Sequence, residues 1–112
     1  MRLGATRKDT VEVEKAILEK WGFADQRAGG AGHFVGMAVH DVGDEAAPFA
    51  PGMVIAVEPM IMIDDKELHC RIEDTVLITG DGAEILTVGL PREVDELLAL
   101  VGSASPAAGV LP

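Results

Sequence analysis

The sequence holds a single cysteine, Cys70, among 112 residues. No internal disulfide can staple it, and a reducing, cytoplasmic setting is the expectation. No apolar run approaches the roughly 18 residues of a membrane-spanning helix. The opening stretch, Met1 to Thr10, is charged and polar, so neither a secretory signal nor a membrane partner is expected. Basic residues are scarce: nine Lys and Arg stand against nineteen Asp and Glu, for a net charge of −10. That balance disfavours nonspecific binding to nucleic acid or anionic lipid. Several catalytic signatures are also missing. There is no GxSxG elbow, no CxxC pair and no HExxH run. The loop Gly29-Gly30-Ala31-Gly32 has neither GxGxxG spacing nor a preceding strand, which makes it weak evidence for a phosphate site.

What is present describes one small, core-forming domain. Apolar residues make up 48% and charged residues 25% of 11.7 kDa, and a domain this size buries about two-thirds of its unfolded surface. Val13, Ala16, Ile17 and Trp21 recur at helical spacing, predicting a helix over 8–21 capped by Thr6 or Thr10 and stopped by Gly22. Strands are predicted over 34–39, 53–63 and 68–79, with turns at Pro51-Gly52 and Asp64-Asp65-Lys66. Gly80-Asp81-Gly82 predicts a hairpin joining 75–79 to 83–87. Pro91 opens a short helix to about Val101. The domain is placed at 1–100 and a flexible tail at 101–112. Strands following strands without helices between them predict an α+β fold rather than a Rossmann-type sheet.

The acidic excess falls unevenly: six Lys/Arg against five Asp/Glu in residues 1–30, but three against fourteen in 31–112. Most of this reads as solvated surface. Two carboxylates stand apart because apolar residues surround them. Glu58 ends Met53-Val54-Ile55-Ala56-Val57 and precedes Pro59-Met60-Ile61-Met62-Ile63. Burying it demands a cation, a metal or a set of donors, unless it faces solvent or pairs with an arginine. Glu73 lies within Leu68–Ile78, where alternation puts His69, Arg71 and Glu73 on one strand face and Leu68, Cys70 and Ile72 on the other. That face is either a metal-binding row or an ordinary exposed one whose Arg71–Glu73 pair contributes little. His33 and His40 bracket Phe34–Val39. Seven residues apart, they fall on opposite faces of a regular strand unless the chain bends at Gly36. Two histidines and two glutamates beside apolar strands suggest a site for Mn²⁺, Fe²⁺, Co²⁺ or Zn²⁺. Cys70 reads as an inert core thiol, and Met37, Met53, Met60 and Met62 as core filler.

Three blocks together resemble the metallopeptidase family of Xaa-Pro aminopeptidases and prolidases, the pita-bread fold. They are Gly32-His33-Phe34-Val35-Gly36-Met37-Ala38-Val39-His40-Asp41-Val42-Gly43, Pro51-Gly52-Met53-Val54-Ile55-Ala56-Val57-Glu58-Pro59, and Arg71-Ile72-Glu73-Asp74-Thr75-Val76-Leu77-Ile78-Thr79. Glu84-Ile85-Leu86-Thr87 follows in the family's order. The resemblance implies half of a pita-bread domain, a curved antiparallel sheet with flanking helices. It also implies two divalent ions, manganese first and cobalt or zinc as alternatives. By this likeness His33, Glu58 and Glu73 are metal ligands. Glu58 also handles the proton of the attacking water, His40 contacts substrate and stabilises the tetrahedral intermediate, and Arg71 sits beside the bridging Glu73 at the substrate. The implied substrate is a peptide with proline at its second position.

The family carries two further aspartate ligands on paired strands upstream of the histidine. Asp9 and Asp25 fall in or just after the predicted helix instead. The expectation is therefore a peptidase segment that needs a missing N-terminal half or a homodimer, with His33, Glu58 and Glu73 within about 5 Å of a common point. Residues 53–63, 68–79 and 83–87 should pair in one curved antiparallel sheet, with the 8–21 helix packed on its apolar face. Two alternatives remain: a noncatalytic binding or regulatory remnant, and a cupin-like single-metal protein using His33, His40 and Glu58.

Overall fold

The computed structural model describes residues 1–101, so the tail predicted from 101 onward lies, beyond Val101, outside the described residues. Helix α1 spans Arg7–Lys20. Thr6 is its cap: the Asp9 N–H donates to Oγ1 of Thr6 at 3.3 Å and the Thr6 N–H donates to Oδ2 of Asp9 at 2.7 Å. This reciprocal pair holds the Asp9 carboxyl below its ordinary range, because the Thr6 amide and hydroxyl both donate to it. Gly22 follows the helix at φ 78°, the left-handed conformation that glycine enters freely.

The strands are β1 (Arg27–Ala28), β2 (Gly32–Val35), β3 (Val54–Val57), β4 (Met60–Ile63), β5 (Leu68–Arg71), β6 (Asp74–Ile78) and β7 (Ala83–Ile85). The α+β class holds, and β6 and β7 form the predicted hairpin with Ile78 opposite Ala83. Helix α2 covers Val94–Leu100, with Glu93 at the N-cap position but no side-chain capping bond, and so starts three residues after Pro91.

The single predicted sheet is in fact two: β2-β3-β6-β7 and β1-β4-β5, with every neighbouring pair antiparallel. Each long predicted strand breaks once, and the breaks face each other. Val57 pairs with Asp74 on one side, and Met60 pairs with Arg71 on the other. One cause is local: Pro59 has no N–H to give a ladder, whereas the Glu58 N–H still donates to the Ala31 carbonyl at 3.2 Å, one step beyond the β2–β3 pairing. The chain between β1 and β2 changes sheets at the same level, so a seam separates the two sheets.

The core lies in the four-stranded half. Phe49, Ile55 and Ile78 are almost wholly buried, joined by Ala5, Phe34, Met53 and Val57. Phe49 is held over the sheet by its N–H, which donates to the Ala5 carbonyl at 2.7 Å. By contrast β5 is an edge strand, exposed at every residue. Cys70 is therefore an exposed thiol rather than the predicted core residue. Met37 is likewise solvent-exposed rather than core filler.

The helix also departs from prediction. Its apolar stripe is not packed on a sheet: Val13, Ile17 and Trp21 are all more than half exposed. The inward residue is Glu14, whose Oε2 accepts from Nε of Arg27 at 2.7 Å. That ion pair ties α1 to β1 and turns the stripe toward an open apolar groove of about 350 Å³, shared with Ala31, Val57 and Pro59.

Candidate functional site

The seam collects the polar residues singled out in the sequence. His33 sits in β2 opposite Ala56 of β3. Glu58 follows β3, Arg71 ends β5 and Glu73 precedes β6. The side chains of His33 and Glu58 keep only 13% and 18% of their surface, so their mutual geometry is set by packing rather than by solvent.

His40 arrives by a bend. The predicted strand over 34–39 stops at Val35, and the chain then folds back on itself. The Asp41 N–H donates to the Phe34 carbonyl at 3.0 Å, and the Gly36 N–H donates to the Ala38 carbonyl at 3.1 Å. Asp41 organises this loop: Oδ2 accepts from the amides of Met37 at 2.8 Å and Ala38 at 3.4 Å, and Oδ1 accepts from the Val42 amide at 2.8 Å. The donated hydrogen bonds, from Val42 first, then Ala38 and Met37, outweigh burial and hold the Asp41 carboxyl below its ordinary range. A Cβ at Gly36 would run into that carboxylate and force it to shift. The bend cancels the opposite-face problem. The rings of His33 and His40 lie with centroids 3.9 Å apart, tilted by 33°.

One ligand atom each from His33, His40 and Glu58 lies within 4.8 Å of the others, the one such group found among the described residues. Nδ1 of His33 is 3.0 Å from the Phe34 carbonyl oxygen. A carbonyl can only accept, so Nδ1 carries a hydrogen, and in the neutral ring Nε2 is the nitrogen left with a free lone pair. Nε2 then faces Oε1 of Glu58 at 3.7 Å. Two electron-rich atoms facing each other across a gap make a setting for a cation, and a histidine fixed through its other nitrogen is oriented as metal ligands are. The donor set fits a divalent ion.

Glu73 lies outside the cluster of His33, His40 and Glu58. It joins the group through Arg71, whose Nη1 is 3.4 Å from Oε2 of Glu58 and whose Nη2 is 3.7 Å from Oε2 of Glu73. Both carboxylates thus face one guanidinium. His69 is apart from the group, on the exposed edge strand near Asp64. Asp9 is occupied at the helix cap and Asp25 lies on the short 3-10 turn Ala24–Gln26. Neither belongs to the group.

Two supports escaped the sequence reading. Asp41 is one; its signal was an aspartate five residues after a glycine, in a stretch with no other side-chain donor or acceptor but His40. The other is Asp74, next to Glu73. Its Oδ1 accepts from the Thr87 hydroxyl at 2.5 Å, its Oδ2 lies 3.1 Å from Nη1 of Arg92, and Thr87 in turn accepts from the Thr75 amide at 3.3 Å. This network fixes the start of β6 against the chain after β7.

Comparison with known proteins matches residues 1–80 to the family described as metallopeptidase family M24. The chain is 41% identical over 85 residues to Xaa-Pro aminopeptidase 3 of Homo sapiens, covering 66% of this chain and 17% of that protein. It is 39% identical over 89 residues to the Xaa-Pro dipeptidase of Pyrococcus furiosus, covering 75% of this chain and 25% of that one. Among solved structures, the X-Pro aminopeptidase of Thermotoga maritima aligns with a TM-score of 0.74 at 29% identity, over 82% of this chain and 26% of the other. The chain thus spans about a quarter or less of the length of these relatives.

Proposed function

Because the chain belongs to metallopeptidase family M24, we propose that it forms the ligand-bearing segment of a metal-dependent hydrolase that cleaves the peptide bond before proline. The observation that carries this reading is the meeting of His33, His40, Glu58, Arg71 and Glu73 at one seam, four of them from separate strand ends and His40 from a folded-back loop. A divalent ion bound there supplies an acidified water and polarises the scissile carbonyl. Manganese is the first choice, and cobalt and zinc suit the same donors.

The roles are those that the family resemblance implies. His33 and Glu58 hold metal, and Glu73 completes the set when Arg71 swings aside. Glu58 also takes the proton of the attacking water. His40, exposed and carried on a loop, reaches the substrate carbonyl. Arg71 keeps both carboxylates aligned from the solvent side. Further ligands of a two-ion centre come from polypeptide outside these 112 residues or from a second copy of the chain. A cytoplasmic location goes with this reading.

The test is a segment exchange. This chain replaces the matching segment of the Thermotoga maritima X-Pro aminopeptidase, and Xaa-Pro peptide turnover is measured with Mn²⁺. Turnover is expected in the chimera and is lost with Glu58→Gln. The isolated chain is expected to turn over negligibly. A folded but inactive chimera favours a noncatalytic binding role instead.

A further inference from the structure

We propose that a second copy of this chain covers the exposed stripe of α1, in a two-fold dimer anchored by Trp21 of each copy in a hollow at the start of the other copy's α1. The inference concerns α1 rather than the seam residues, and it does not rest on the peptidase reading.

Exposure marks the face. Val13, Ile17 and Trp21 keep 59%, 52% and 69% of their surface. Spaced four residues apart, they form one row along the helix, and an open apolar row of this kind marks an interaction surface. A hollow of about 570 Å³ lies at the N-terminal end of the same row, lined among others by Met1, Arg2, Ala5, Asp9, Thr10 and Val13. The row itself indicates what fills it. When two copies of α1 run antiparallel about an axis level with Lys15, Val13 of each meets Ile17 of the other. Helical spacing turns Lys15 to the opposite face, where it pairs with Glu12 at 3.0 Å. Trp21 then falls opposite Asp9, at the mouth of the hollow. An indole is a broad apolar ring with a single N–H donor. Met1, Ala5 and Val13 suit the ring, the Asp9 carboxylate suits the N–H, and Arg2 offers a cation to the ring face.

Charge selects the same arrangement. Asp9 and Lys20 lie eleven residues apart, three turns of α1, on one flank of the row. An antiparallel two-fold pair brings like flanks together, so Lys20 of each copy comes beside Asp9 of the other. Nζ of Lys20 stands 5.7 Å from the centroid of its own Trp21 ring, so ammonium and indole reach the same end of the partner. A parallel pair would set Lys20 against Lys20 and leave both tryptophans away from the hollow. Helix α2 also exposes apolar residues, Val94 and Leu98 among them, but its only charges are Asp95 and Glu96, so two copies of it repel.

The experiment follows the 112-residue protein by sedimentation equilibrium and by emission of Trp21, its one tryptophan. A dissociation constant of about 10–100 µM is expected, because a one-helix contact falls at the small end of specific interfaces. Emission should move to shorter wavelength as the dimer forms. Ile17→Glu should weaken association by about tenfold or more, and Lys20→Glu, which sets like charges together, by about threefold or more. Leu98→Glu on α2 should leave it unchanged. Far-UV circular dichroism checks each fold, and if Ile17→Glu loses helix, Trp21→Ala, just past the end of α1, decides in its place. A protein that stays monomeric to about 1 mM, tenfold above the weakest affinity expected, overturns the proposal and leaves the stripe to another polypeptide. A dimer that keeps its affinity in Ile17→Glu or Trp21→Ala, or loses it equally in Leu98→Glu, overturns it as well. Undiminished association of Lys20→Glu overturns the antiparallel register. None of these outcomes touches the seam, so the function proposed above is decided separately by its segment exchange.

Discussion

The two sheets are halves of one long hairpin, yet they are built on different physics. In the four-stranded half, Ile55 and Ile78 lie at 0% exposure beneath Phe49. In the three-stranded half, β5 is exposed throughout and its partner β4 is only half-buried. One half is held by a core; the other is held by backbone pairing and by the Arg27–Glu14 tie to α1. The site sits where they join. The buried half fixes His33 and carries Asp74, while the exposed half contributes Arg71, whose side chain is 54% exposed. A rigid ligand platform thus faces a guanidinium free to move.

The sharpest way to break this contrast is paired truncation. Ile55→Ala should cost about 2–5 kcal/mol in urea unfolding, whereas Leu68→Ala on the edge strand should cost under about 1 kcal/mol. Equal losses would mean that the two halves share one core. Gly32→Ala attacks the rigid half at its backbone. Gly32 has φ 146°, and a Cβ there would enter the Ala56 carbonyl across the β2–β3 ladder. A loss of about 1–3 kcal/mol is expected from the conformation alone, together with weakened metal binding, since His33 is the next residue. A fully stable Gly32→Ala protein would show that β2 can slip without consequence.

Arg27→Ala tests the tie that serves the exposed half. It leaves the Glu14 carboxylate, with 6% of its side chain exposed, without its cation. The Oε1 atom of Glu14 already lacks a hydrogen-bond partner. A loss of roughly 1–3 kcal/mol is expected, below that for a fully buried pair because Arg27 itself keeps 22% of its side-chain surface. Hydrogen exchange should quicken in β1 and β4 before β3 and β6. Exchange that quickens uniformly would contradict the tie.

The smallest effect concerns the His40 loop. The Asp41 carboxyl is held below its ordinary value by the amides of Val42, Ala38 and Met37. A depressed folded value means that the loop's added stability is complete above the unfolded value and is lost as pH falls through the folded one. The Met37 and Val42 amide resonances should therefore titrate with a midpoint below that of an unperturbed aspartate, and Asp41→Asn should abolish that titration. A midpoint at or above the unperturbed value would remove Asp41 as the loop's anchor.

Much of this was legible in the chain itself. Helical spacing located α1, Gly22 its end, Gly80-Asp81-Gly82 the β6–β7 turn, and the apolar flanks of Glu58 marked it as a carboxylate needing a partner. Other features had no local signal. The apolar runs over 53–63 and 68–79 read as unbroken strands, because an apolar run carries no signal of the gap in pairing at Glu58-Pro59. Cys70 alternates like a core residue, but burial depends on a covering layer, and an edge strand has none here.

The sequence by itself determined the residue types: two histidines, two glutamates and an arginine flanking apolar strands, in an order resembling one peptidase family. Only the tertiary structure decided which of them meet. The bend anchored by Asp41 brings His40 over His33, and the paired breaks bring Glu58 to His33. Arg71 stands between Glu58 and Glu73 because the seam sets β5 against the end of β3. Period and spacing fix which face a side chain leaves by. Distance across a seam is set by how two sheets join, and that is a property of long-range pairing.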